Sequence, residues 1–228
     1  MSTTDPDRPT PMTTRRYPDT LAAPVTRELV VKKSRFIAHL VPVRNVAEAD
    51  EVIASVRRQY WDARHNCTAM VTGATGDQAR SSDDGEPSGT AGIPMLEVLR
   101  RRGLTDVVAV VTRYFGGVKL GAGGLVRAYS TAVSDALDDA TLLHRRELLE
   151  ARVEVPHAEA GRIDNALRDW AGGHGAAFGD VVYGAAATFT LWIPPSAKTD
   201  LADDLAASSA GSLSPSFGAT RIVDVPAA

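Results

Sequence analysis

The chain has 228 residues, 44% hydrophobic and 23% charged, with a formal net charge of −3 at pH 7; this is ordinary globular usage and sets aside fibrous and intrinsically disordered classes. Its length exceeds the usual single-domain size and predicts two cores. A single cysteine, Cys67, excludes an internal disulfide, and with only five scattered histidines no metal site is predicted.

No apolar run approaches the roughly 20 residues a bilayer needs, and the Pro/Thr-rich start lacks the apolar stretch of a secretory signal. A cytoplasmic address and no membrane partner are therefore expected. Residues 1–24 contain five prolines and few large apolar side chains, which predicts a disordered tail. From Thr26 to Val43 apolar residues recur at period two around the polar KKSR turn, the pattern of two antiparallel strands. Asn45 is placed to cap a helix reaching about Tyr60, with Val46, Ala49, Ile53 and Val56 at helical spacing.

A strand is expected over His65–Gly73, then a long polar loop from Gln78 to Gly92. The next helix turns Met95, Leu96 and Leu99 inward and ends at Gly103. Val107–Val111 is apolar on both faces, the mark of a central buried strand. A glycine-rich segment, Gly116–Gly124, then leads into a long helix with Leu125, Ala128, Ala132, Ala136 and Ala140 on one side. Beyond it the pattern reads strand Leu148–Val155, helix Ala158–Trp170, strands near Ala176–Tyr183 and Ala186–Ile193, helix Ser196–Ser209 and strand Phe217–Val225. This βαββαβ order is the split βαβ plan. The expected division is a first domain at residues 25–147 and a second at 148–228, within an α+β class. Charge changes at the same place: residues 25–148 carry 17 Lys/Arg against 15 Asp/Glu, and residues 149–228 carry 5 against 10. So small a positive excess in the first part requires any nucleic-acid site to be a local patch.

Two segments carry chemistry. The first, SSDDGEPSG, concentrates Asp83, Asp84 and Glu86, which suit a hard cation, a general base, a basic partner, or a turn whose carboxylates cap backbone N–H groups. His65, near the start of its strand, is the candidate base beside them. Thr90, Ala91 and Gly92 then open a helix whose free N–H groups suit an anion. The second segment places Gly121, Gly123 and Gly124 ahead of the long helix, with Arg113, Lys119 and Arg127 nearby, a candidate phosphate or RNA site. It lacks the third dinucleotide-binding glycine and the P-loop Gly-Lys-Ser/Thr triplet. Tyr114, Phe115 and Tyr129 interleave with these basic residues, as in surfaces that stack bases and hold phosphates.

Taken together and in order from Lys32 to Tyr129, KKSRF, HNC, SDDGEPSGTAG and VTRYFGGVKLGAGGLVRAY resemble the YigZ/IMPACT family. The resemblance implies a first domain like domain 2 of a small-subunit ribosomal protein, a ferredoxin-like second domain like those of elongation factor G, and a role linked to translation. The leading expectation is a non-enzymatic translation-associated factor that binds RNA, the ribosome or a protein partner and needs no cofactor. The alternative is a small-molecule hydrolase or phosphoryl-handling enzyme that uses the acidic loop and His65. The two regions are expected to face each other across one cleft.

Overall fold

A computed structural model describes residues 17–226. Residues 17–24 correct the expected tail. Strand β1 (Thr20–Leu21) pairs antiparallel with a later strand, and Leu21 and Tyr17 are buried at 2% and 8% exposure. Two large side chains suffice because the segment lies over a core that other elements have already built. Residues 1–16, the remainder of the expected tail, lie outside the described residues.

Strands β2 (Val25–Val31), β3 (Ser34–Pro42), β4 (His65–Thr72), β5 (Gln78–Ser82) and β6 (Val107–Tyr114) form one sheet in the order β2-β3-β6-β4-β5, every neighbouring pair antiparallel. The β2–β3 turn is Lys32-Lys33, both with positive φ, the mirror-image geometry that matches strand twist. Helix α1 (Val46–Gln59) starts where expected, with Asn45 Oδ1 accepting from Glu48 N–H at 3.0 Å. It covers one face of the sheet, and α2 (Gly92–Arg101) with α3 (Ala122–Asp138) covers the other. β6 is central, and its alternation divides the work. Val107, Ala109 and Val111 join the α2/α3 core, while Val108 and Val110 face α1.

Strand β5 replaces the first part of the expected polar loop. Its side chains are polar or small, so no apolar alternation announces it; the pairing of Gln78–Ser82 with Thr72–Thr68 makes it an edge strand.

The second sheet contains β7 (Leu142–Val155), β8 (Ala177–Tyr183), β9 (Ala187–Ile193) and β10 (Ser216–Pro226) in the order β10-β7-β9-β8, with β1 beside the start of β7. Helices α4 (Ala160–His174) and α5 (Lys198–Ser208) pack on it around Val153, Ile163, Phe189, Leu191 and Leu201. The succession is βαββαβ and the class is α+β. β7 begins at Leu142 instead of Leu148, because its first half pairs with β1 and β10 and needs no helix cover. The expected junction at 147/148 thus falls inside a continuous strand.

Candidate functional site

The three carboxylates of the SDDGEP loop have three different fates. Asp83 turns back onto the start of α2: its Oδ1 accepts from Ala91 and Gly92 N–H at 3.0 and 2.8 Å, and its Oδ2 from Gly89 N–H at 2.7 Å. Burial works against the ionised form, but these three N–H donors outweigh it and hold the Asp83 pKa below the ordinary aspartate value. The anion site expected at Thr90, Ala91 and Gly92 is therefore filled by the chain's own side chain. This is a correction to its reading as a ligand site. Asp84, with φ +44, accepts from Arg57 at 2.7 Å and from Asn66 N–H at 2.7 Å, so both its oxygens tie the loop to α1 and β4. Neither aspartate lines the cleft described below.

Glu86 points inward. Its Oε1 accepts from Arg113 Nη1 at 2.6 Å and from Tyr129 O–H at 2.8 Å, and the ion pair is almost wholly buried, with side-chain exposures of 8% for Arg113 and 3% for Glu86. Cys67, on β4 with its side chain in the same core, donates toward the Tyr129 oxygen at 3.3 Å and the Asp83 carbonyl at 3.0 Å. Burial above all pushes the Cys67 thiol up to about 12 and raises the Tyr129 phenol; a thiol so held is no nucleophile at neutral pH. Arg113 also lies against the Phe36 and Phe115 rings at 5.4 and 5.7 Å, and its Nε is buried with no hydrogen-bond partner among the described residues.

Between this buried pair and the glycine segment lies a cleft of about 570 Å³, lined by residues that include His65, Glu86, Arg113, Phe115, Lys119, Gly121 and Ala122. His65 sits opposite Arg113 in the β4–β6 ladder and donates through Nδ1 to the Asp84 carbonyl at 2.9 Å. That bond assigns the proton to Nδ1 and leaves Nε2 as the acceptor of the neutral ring. The glycines divide by role. Gly116 lets the segment cross the β2–β3 turn, since a Cβ there would meet Lys33 C at 2.0 Å and Ser34 N at 2.3 Å. Gly121, at φ +71, is the N-cap of α3, a conformation glycine adopts at no steric cost. Gly123 and Gly124 lie inside the first turn of α3.

The start of α3 contrasts with that of α2. Among the described residues no side chain caps it, no acidic residue occupies its first turn, and Lys119, Gly121 and Ala122 carry it to the cleft wall. Over 17 residues the aligned peptide dipoles place partial positive charge there. Arg127 is exposed and is not among the cleft-lining residues, but its guanidinium reaches back toward Gly123 in the first turn of α3, where a Cβ would lie 3.9 Å from Nη1. Of the basic residues outside the cleft, Arg35 pairs with Glu28, Arg57 with Asp84 and Arg102 with Asp138. Sequence reasoning missed Asp62 and Arg64, which line the cleft from the turn before β4, with Asp62 accepting from Tyr114 O–H at 2.7 Å. Their only sequence signal is a charge pair just ahead of His65.

Residues 32–137, which span the cleft, match the family model described as the Impact N-terminal domain. The chain is 49% identical over 142 residues to the IMPACT family member YvyE of Bacillus subtilis, covering 62% of this chain and 65% of that protein. Against the IMPACT family member YigZ of Escherichia coli it is 45% identical over 148 residues, covering 64% and 72%. A solved structure described as the crystal structure of an hypothetical protein aligns over 88% of this chain and 97% of its own, at 37% identity and a TM-score of 0.57. The matched stretch is thus a little under two thirds of the length of YvyE.

Proposed function

This chain belongs to the IMPACT family, and on that premise we propose that it is a translation-associated factor whose cleft binds a phosphate group of RNA. One observation carries the reading. Of the two helix starts that border the SDDGEP and glycine segments, α2 already holds a carboxylate, while α3 opens uncapped beside Lys119. Backbone N–H groups, helix dipole and ammonium together suit a phosphate. Arg113 contributes less charge than its type suggests, because Glu86 neutralises it.

The test is binding of short RNA to the full chain across a salt series. Affinity should fall with salt at a shallow slope of about −0.7 in log K against log salt, the value for one phosphate contact on a single strand. Lys119→Ala should weaken binding across all sequences with little effect on melting temperature, because Lys119 is exposed. Arg127→Ala should weaken binding too, because its guanidinium lies beside Gly123 at the same helix start. Unchanged RNA binding in a folded Lys119→Ala, Arg127→Ala double variant would overturn the reading.

The presence of His65 and Glu86 in the same cleft favours a second reading, hydrolysis or transfer of a phosphate ester. Turnover of a phosphate-ester panel that His65→Ala abolishes, with phosphate binding retained, would favour that reading over binding alone.

A further inference from the structure

The phosphate reading uses one end of the cleft and leaves its aromatic side without a task. Phe115, 56% exposed, lines the cleft with the Arg113 guanidinium behind its ring at 5.7 Å. A large exposed ring on the wall of a polar cleft is placed to meet the flat face of a ligand. Independently of the helix start, Arg113, only 7% exposed, lines the same cleft and keeps a buried Nε donor with no acceptor among the described residues.

From these features we infer that the cleft takes a nucleotide phosphomonoester, its base stacked on Phe115 and its phosphate at the start of α3. The inference rests on the phosphate reading and deepens it. A flat ring backed by a cation suits the π-face of a base, which a phosphosugar or a phosphorylated side chain of serine or threonine lacks. A volume of about 570 Å³ is that of a small-ligand site and suits one nucleotide better than a stretch of strand. A terminal phosphate, with a second ionisation that an internal phosphodiester lacks, gains more from Lys119 and the helix start. The same chemistry comes from a free nucleotide or from the phosphorylated end of an RNA.

Calorimetric titration of the full chain with adenosine 5′-monophosphate, ribose 5-phosphate, adenosine and inorganic phosphate tests this. The nucleotide should bind on the order of ten-fold tighter than ribose 5-phosphate. Phe115→Ala should narrow that gap while leaving ribose 5-phosphate binding unchanged; the side chain is exposed, so the variant should fold. Equal affinities for the nucleotide and ribose 5-phosphate overturn the base contact and leave the phosphate site standing. Absence of binding by both phosphates and the nucleotide overturns the phosphate reading itself. A 5′-phosphorylated RNA tetranucleotide that binds more tightly than both the mononucleotide and its own 5′-hydroxyl form supports the inference with an RNA end as the source. A tetranucleotide no tighter than the mononucleotide supports it with the free nucleotide as the source. If the 5′-hydroxyl tetranucleotide equals the phosphorylated one and exceeds the mononucleotide, recognition of a phosphomonoester is overturned.

Discussion

Asp83 shows how one side chain can serve fold in place of function. Its three accepted N–H bonds satisfy donors that the start of α2 would otherwise leave open. Asp83→Ala should therefore cost about 2 kcal/mol of stability, and Asp83→Asn, which keeps an acceptor, less. The pH dependence follows from its lowered pKa. A carboxylate depressed in the folded state contributes stability that is fully present above the unfolded value and is lost as pH falls through the folded one. Chemical denaturation of the wild type and Asp83→Asn across pH should therefore show their difference shrinking from about pH 4 downward. A difference that persists unchanged at about pH 2 would contradict this role. Glu86, three positions later, is bound to Arg113 and Tyr129 on the cleft wall; sharing a loop with Asp83 does not mean sharing its task.

At the scale of elements, the glycine segment is two devices in succession. The first is a close crossing at Gly116, whose N–H also donates to Ser34 Oγ at 3.1 Å; the second is the open start of α3. Gly116→Ala would press a methyl into the backbone of Lys33 and Ser34, and it should destabilise by about 3 kcal/mol or more, read as a lowered denaturation midpoint. Gly117→Ala is the control. Gly117 has φ +85, but a methyl added there would meet nothing within 4 Å, so only the backbone conformation resists it, at about 1 kcal/mol. Similar losses at the two positions would remove the close crossing as the reason for Gly116.

Across the whole molecule, β7 is the element that both parts share. It pairs with β9 and β10 in the second sheet and with β1, whose Leu21 is buried in the first core. Arg145 of β7 reaches Asp106 ahead of β6 at 2.9 Å, and His144 reaches Asp19 at 3.0 Å. Leu21→Ala should consequently cost on the order of 2–4 kcal/mol, as for other buried leucines, measured by thermal or chemical unfolding. No measurable loss would return this segment to the tail that its prolines suggest.

Periodicity and local chemistry were enough, in the sequence alone, to mark the two-sided burial of β6, the Asn45 cap, the apolar face of α3 and the βαββαβ order after it. Each depends on side chains a few positions apart, where the geometry of a helix or strand dictates who faces whom. Tertiary structure alone decided the rest. β5 has no apolar pattern and exists because β4 offers it a partner; β1 is ordered because a core lies beneath it. Which of Asp83, Asp84 and Glu86 reaches the cleft depends on the path of one loop across α2, α1 and β4. Contacts between residues far apart in sequence carry no local signature, so a cluster of charges reveals that a site is possible before it reveals which members compose it.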